Sequence, residues 1–399
     1  MHILYLHQYF NTPEEGWGTR SFEFARKLVK KGHKVTMITS SNEANNIKKI
    51  IEGINVVYLK VSYSNHMSFK RRLLSFILFG IKAILVGIKI KNCDLVFATS
   101  TPLTIAIPGI LLSFIKRIPM VFEVRDLWPE VPIQMGVIKN KLLIKILRCF
   151  ERFTYKYSKH IIVLSPGMEK GVIDAGIEKD KVTMIPNFCN IDFFKPGESN
   201  KELLRELGGI DEPIISYAGA ISYANNVELI IDTAEKLQKK GQKVLFVIAG
   251  DGSLKQELEN KSKKLGLKNV LFLGKINKYE VLILYRKSLA TLVLFKKLPV
   301  LTTNSPNKFF DAISTGKPVI TNMNGWVGSL IEKYNIGFSI DPDDANSLMK
   351  AVISMVNMDE NKVKEMGLSA RKLAVEKFDS DNMVLQLENI FKKVLENKK

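Results

Sequence analysis

The feature that most constrains this chain is an alternation of short apolar runs with amphipathic ones, and it occurs twice. Residues 2–7 read as a strand, 10–18 as a Gly/Pro loop, and 19–31 (TRSFEFARKLVKK) as a helix with Phe22, Ala25, Leu28 and Val29 on one face. Gly32 stops that helix and 34–39 is the next strand. Further strands are predicted at 54–59, 94–98, 119–124 and 160–164. A polar, proline-broken stretch at 186–207 then interrupts the pattern, which restarts with strands at 214–218, 244–249, 269–273, 290–295 and 317–321. Helices are predicted between them at 226–240, 253–265, 278–287 and 306–315. Units of this kind build parallel sheets covered on both faces, and 399 residues suit two such domains. The expectation is an α/β chain of two tandem Rossmann-like, doubly wound parallel-sheet domains facing a cleft. The N-terminal one spans 1–190, a linker 191–210 and the C-terminal one 211–379. Sheets of this class bind ligands at the C-terminal ends of their strands.

Charge narrows the partners. The chain carries 59 Lys and Arg against 40 Asp and Glu, a net +19. Such a balance suits nucleic acid, anionic lipid or phosphorylated substrates, or reflects only a lysine-rich composition. The basic residues scatter, and no basic block is interleaved with aromatics, so no nucleic-acid partner is expected. Cys93, Cys149 and Cys189 are odd in number and far apart, the five histidines form no cluster, and neither a disulfide framework nor a metal site is expected. Met1 to Leu6 meets polar residues by Gln8 and reads as a first buried strand rather than a signal peptide, with a reducing compartment, the cytoplasm, expected.

One stretch departs from this grammar. Residues 73–90 (LLSFILFGIKAILVGIKI) are almost wholly apolar and follow Lys70, Arg71 and Arg72. Lys82 and Lys89 lie one heptad apart, so a helix in the headgroup layer, binding an anionic membrane surface through 70–91, is the first reading. A buried crossover helix or a membrane span are the others. Residues 103–115 (LTIAIPGILLSFI) read as a shorter core helix.

Candidate chemistry sits in the loops after strands. Gly16 and Gly18 precede a helix beginning at Thr19, an arrangement that suits a phosphate or serves only as a turn. Arg125, Asp126, Trp128 and Glu130 crowd the end of a buried strand, as a site or as an internal ion pair. In Ser305–Ile320 (SPNKFFDAISTGKPVI), Ser305 reads as a helix N-cap with Pro306 at the first helical position. Lys308 and Asp311 then share a face, the lysine suiting a diphosphate and the acid a ribose or hexose, unless both are merely solvated.

Taken together, HQYF and GTRSFEFARKL within 7–28, DLVFATSTPL at 94–103, FEVRDLWPE at 122–130, VLSPGM at 163–168, IPN at 185–187, YAGAI at 217–221, AGDG at 249–252, FLGKI at 272–276 and SPNKFFDAISTGKPVI at 305–320 resemble retaining glycosyltransferases of family 4, which have the GT-B fold. The resemblance covers nearly the whole chain and is nearest to bacterial O-antigen and capsule transferases of the N-acetyl-fucosamine type. It implies a nucleotide-diphosphate sugar donor, first a UDP-sugar carrying N-acetyl-fucosamine or a related HexNAc, no metal and no other cofactor. The acceptor it implies is a polyprenyl-diphosphate-linked sugar at the inner face of the cell membrane. Asp311 matches the second acid of the family's Glu-x7-Glu motif, which holds the donor ribose. Gly219, Asn225, Gly250, Asp251, Lys275, Asn307 and Lys308 fall on the donor side, with Gly16, Gly18 and Arg20 closing over the diphosphate. Thr19, Arg125, Asp126, Trp128 and Glu130 fall on the acceptor side, and Asp126, Lys308 and Asp311 carry the catalytic roles. Residues 380–399 resemble the terminal helix that packs back on the first domain. The sequence departs from the pattern where Thr303 replaces the first acid and where Ala220 and Asn225 replace an Arg/Lys pair, which leaves Lys308 and then Lys275 to neutralise the diphosphate. A nucleotide-sugar 2-epimerase on the same fold and a non-catalytic scaffold are the alternatives.

Overall fold

The structure, a computed structural model, describes residues 1–15, 19–42, 46–64, 67–198 and 210–396. Its contacts divide it into two compact units, one of Met1–Asn11, Thr19–Pro186 and Asp381–Lys399, the other of Thr12–Gly18 and Asn187–Ser380.

The first unit is built on β1 (His2–Leu6), β2 (Lys34–Ser41), β3 (Ile47–Ile51), β4 (Ile54–Lys60), β5 (Leu95–Thr99), β6 (Met120–Val124), β7 (His160–Val163) and β8 (Val182–Met184), in the sheet order β3-β4-β2-β1-β5-β6-β7-β8. Every residue of β1, β5 and β6 is buried, as a sheet covered on both faces requires. All pairings are parallel except β3 on β4. That hairpin turns through Glu52 and Gly53, both at positive φ. The periodicity passes over β3 because Lys48 and Lys49 lie exposed on an edge, where lysines discourage further strand pairing. It passes over β8 because three residues carry no period. Around the sheet lie α1 (Arg20–Lys30), α2 (Phe69–Lys89), α3 (Ala106–Lys116), α4 (Glu130–Gln134), α5 (Lys141–Tyr157) and α6 (Pro166–Asp174).

The second unit carries β9 (Ile214–Ala218), β10 (Leu245–Ala249), β11 (Val270–Gly274), β12 (Ala290–Val293), β13 (Val319–Thr321) and β14 (Gly337–Ser339), all parallel, in the order β11-β10-β9-β12-β13-β14. Its helices are α7 (Glu228–Lys239), α8 (Lys255–Lys264), α9 (Lys278–Lys287), α10 (Asn307–Ser314), α11 (Trp326–Tyr334), α12 (Ala345–Val356) and α13 (Glu360–Lys377). The acids at 341–344 make the turn after β14, and Asp344 caps α12 by accepting from the amides of Asn346 and Ser347.

The last helix, α14 (Ser380–Glu396), returns to the first unit. Phe391 meets Phe97 edge-on at 5.1 Å, and Glu388 takes Lys31 at 3.2 Å, His33 at 3.0 Å and Lys392 at 2.6 Å. Those three partners draw the Glu388 carboxyl down to about 2.

The apolar stretches form helices buried on one side and exposed on the other. α2 turns Ser75, Phe79 and Ala83 inward and leaves Leu74, Ile81 and Leu85 exposed. Lys82 donates to the Lys60 carbonyl at 2.6 Å. Among the described residues no helix is long and apolar enough to cross a membrane. The core reading of 103–115 is half right, because α3 buries Leu112 but leaves Ile107, Leu111, Phe114 and Ile115 exposed.

Candidate active site

In the second unit the strand order reverses between β9 and β12, and a cleft of about 240 Å³ opens at the strand ends there. Glycine makes its floor possible. The amide of Gly219 donates to Ala249, that of Ile221 to Asp251 and that of Gly250 to Gly274, so the loops after β9, β10 and β11 lie directly against one another. A Cβ on Gly250, whose φ is +148°, would stand 1.8 Å from the Gly219 carbonyl oxygen, so no other residue fits.

Gly219, Gly250, Asp251, Lys275, Asn307, Lys308 and Asp311 all line this cleft. Asn225 stands behind it, its Oδ1 accepting from Lys308 Nζ at 3.0 Å. Lys308 also donates to Tyr217 Oη at 3.1 Å, which donates on to the Ala220 carbonyl at 2.7 Å, and its ammonium sits over the rings of Tyr217 and Phe295. No carboxylate is among these partners. Burial therefore pulls the Lys308 ammonium down to about 7, so the cleft holds a lysine that titrates near neutrality. Three residues along α10, Asp311 takes Lys278 Nζ at 2.5 Å. Burial pushes the Asp311 carboxyl up while Lys278 opposes the shift.

Lys278 is the cleft residue that sequence reasoning missed. It opens α9, just after Asn277, whose side chain forms a capping box with Glu280. The signal for it was the Asn-Lys-Tyr-Glu cap after the Gly274-Lys275 strand end. The first residues of α9 and α10, Lys278 and Asn307 with Lys308, line the cleft, so two helix N-termini lie at it with their lysines. The cap expected of Ser305 is corrected: Pro306 takes the N-cap position of α10, and Ser305 Oγ accepts from the Asn187 amide at 3.0 Å. Thr303, in place of the first acid, donates to its own Val300 carbonyl at 2.7 Å.

The corresponding place in the first unit lies between β1 and β5, where that sheet's order reverses. Asp126 accepts from Thr101 Oγ1 at 3.1 Å, and burial pushes its carboxyl up against the pull of that bond and of Arg125. Arg125 stands 3.2 Å from His7 Nε2, and Ser21 Oγ 2.7 Å from His7 Nδ1. A guanidinium only donates, so Nε2 accepts and the proton sits on Nδ1. Burial, then Arg125, hold His7 well below the usual imidazole range and keep it neutral. Trp128 packs on the core of this unit, and Thr19 is the N-cap residue of α1 without a side-chain cap bond. Glu130 points elsewhere, to Arg148 at 3.0 Å and Gln134 at 3.2 Å.

Arg20 is corrected. Its guanidinium is buried on Glu123 at 2.9 Å and donates to the carbonyls of Ile185 and Pro186, so it is spent inside the first unit and is not available to a phosphate. The expectations for Gly16 and Gly18 fall outside the described residues. Among the described residues, no three His, Cys, Asp or Glu side chains are placed to hold a metal ion.

Two family descriptions together match most of the chain: Glycosyltransferase Family 4 over residues 15–193, and Glycosyl transferases group 1 over residues 200–373. The chain is a family 4-type glycosyltransferase. Its relatives include the O-antigen chain mannosyltransferase C of Escherichia coli, 22% identical over 66% of this chain and 68% of that one. The GalNAc-α-(1→4)-GalNAc-α-(1→3)-diNAcBac-PP-undecaprenol α-1,4-N-acetyl-D-galactosaminyltransferase of Campylobacter jejuni is 25% identical over 66% of this chain and 69% of its own. Among solved structures, Anabaena HepE in complex with UDP-glucose superposes with a TM-score of 0.73, at 18% identity, over 98% of this chain and 100% of that one. The transferase has the GT-B fold, and its two sheets are the two halves of that fold.

Proposed function

We propose that this transferase moves a sugar, with retention of configuration and without a metal ion, from a nucleotide-diphosphate donor to a polyprenyl-diphosphate-linked acceptor during assembly of a surface polysaccharide. UDP is the first-choice nucleotide, with N-acetyl-fucosamine or another HexNAc as the sugar. The observation that carries the reading is the convergence of Lys275, Lys278, Lys308 and Asp311 on one glycine-floored cleft at the strand ends of the second unit. Three lysines and two helix N-termini suit a diphosphate, and Asp311, the carboxylate beside them on α10, suits a ribose diol. The lipid-linked acceptor and the polysaccharide role draw support from the names of the Campylobacter and Escherichia relatives.

In the step itself, the bond from the sugar's anomeric carbon to the diphosphate oxygen breaks and the acceptor hydroxyl oxygen bonds that carbon from the same face. Negative charge grows on the departing diphosphate and is met by Lys308 and the helix N-termini, which stand in place before the charge appears, and by Lys278. Lys278 must exchange part of its hold on Asp311 for the phosphate, freeing the carboxylate for the ribose. Asp126, made more basic by burial, orients or deprotonates the acceptor hydroxyl. The test is acceptor-dependent nucleotide release in EDTA, with UDP-, GDP- and dTDP-sugars and a short polyprenyl-diphosphate sugar. Release with one donor supports the reading. Nucleotide binding without release under any acceptor would leave the fold intact and sink the activity.

A further inference from the structure

The transferase carries an apolar surface much larger than the 70–91 segment. α3 lies between α2 and α5, packed closely against α2: a Cβ on Gly87 would collide with Leu112. Tyr157 of α5 donates to the Ile110 carbonyl of α3, and Lys116 of α3 donates to the Ile88 and Ile90 carbonyls at the end of α2. The outward sides of α2 and α3 are largely apolar, and that of α5 mixes exposed apolar residues with cations. Leu85 is 59% exposed, Phe114 73% and Leu142 68%, with Ile81, Ile115 and Ile146 beside them on the same helices. A helix apolar on both its inner and outer sides is at odds with water on one of them. A contiguous face of such residues marks an interaction surface.

Charge identifies the occupant. The three helices hold eleven Lys and Arg residues against one acid, Glu151. That acid is turned onto Tyr155, and burial pushes it up to about 7. A second copy of the chain would set like charge against like charge. A bilayer with anionic headgroups accepts both the apolar side chains and the cations around them. We infer that α2, α3 and α5 together form one monotopic docking face for an anionic lipid bilayer, seated by Leu85, Phe114 and Leu142 and ringed by Lys141, Lys145 and their neighbours. The purpose of such a face rests on the lipid-linked acceptor proposed above, but its physics does not.

The test is co-sedimentation of the full chain with vesicles of phosphatidylglycerol and phosphatidylethanolamine, and with phosphatidylcholine vesicles. Binding at low salt is expected to be about tenfold or more tighter on the anionic vesicles and to weaken as salt rises. The exposed-site triple variant Leu85→Ser, Phe114→Ser, Leu142→Ser is expected to lose binding about tenfold or more to both kinds. Lys141→Glu with Lys145→Glu is expected to lose the anionic preference alone. Equal binding to both vesicles, or binding indifferent to the serine triple, overturns the proposal. So does a dimer in sedimentation velocity that the serine triple abolishes, because a second copy would then cover the face. Nucleotide release with a water-soluble acceptor, run beside it, separates the two readings: release without vesicle binding sinks the docking face alone, and vesicle binding without release sinks the transferase reaction alone.

Discussion

If the donor diphosphate binds beside Lys308 as proposed, its affinity should depend on pH around neutrality. With burial holding the free ammonium at about 7, half of it is neutral near pH 7 and most of it above pH 8. A bound diphosphate supplies the missing counter-charge and returns the lysine to its charged form. The apparent Kd for a UDP-sugar then grows as the neutral fraction grows: about 10-fold from pH 6 to pH 8 and about 90-fold by pH 9, with about 0.9 proton taken up per donor bound at pH 8. A UDP-sugar is the right probe because its diphosphate is esterified at both ends and does not itself titrate in this window. Unfolding does not mimic the effect. A lysine whose folded value is depressed binds fewer protons folded than unfolded between about pH 7 and 10.5, so its contribution to stability rises with pH there. Calorimetry in two buffers of different ionisation heat reads the proton uptake directly. The variant Lys308→Arg, charged at every pH, is expected to bind with a flat profile. A flat profile in the unaltered protein, with no proton uptake at pH 8, would refute both the titration and the assignment of Lys308 to the diphosphate.

The Lys278–Asp311 pair is nearly buried, so Asp311→Asn strands a buried cation and is expected to cost about 3 kcal/mol of unfolding free energy, while the double variant Lys278→Met, Asp311→Leu recovers most of it; denaturant melts of the three proteins check this. Gly250→Ala is expected to abolish UDP binding while leaving circular dichroism near normal, because the methyl group would displace the Gly219 carbonyl of the cleft floor. Glu388→Gln is expected to cost about 1–2 kcal/mol, less than its shift alone implies because Lys31 and Lys392 are well exposed. Its sign follows from a carboxyl held at about 2: the stabilisation is present above pH 4.5 and lost as pH falls towards 2, so the gap between variant and parent should close in acid melts.

Much of this was legible because it is local. The central strands are short apolar runs between turns, and a doubly wound sheet announces itself that way. Lys308 and Asp311 were readable because residues three apart on a helix share a face. What escaped was non-local. Arg20 looks like an anion ligand at a helix start until Glu123, 103 residues on, is found against it. Asp311 looks like a free acid until Lys278, 33 residues back, is found on it. β3 escaped because an exposed edge with two lysines carries no core signal. The outward stripe of α3 escaped for another reason: composition alone cannot tell a side chain buried in protein from one turned outward.

The stretch Asn187–Ser380 begins and ends at the same spot. The Cys189 amide donates to the Phe378 carbonyl at 2.7 Å and the Ser380 amide to the Cys189 carbonyl at 3.1 Å, so the chain enters and leaves along two hydrogen-bonded neighbours. A segment whose ends touch can be exchanged for that of a relative at two adjacent joins, with only the short Thr12–Gly18 piece of the same unit left behind. With the nucleotide held in that segment as proposed, nucleotide preference is expected to travel with it as one block.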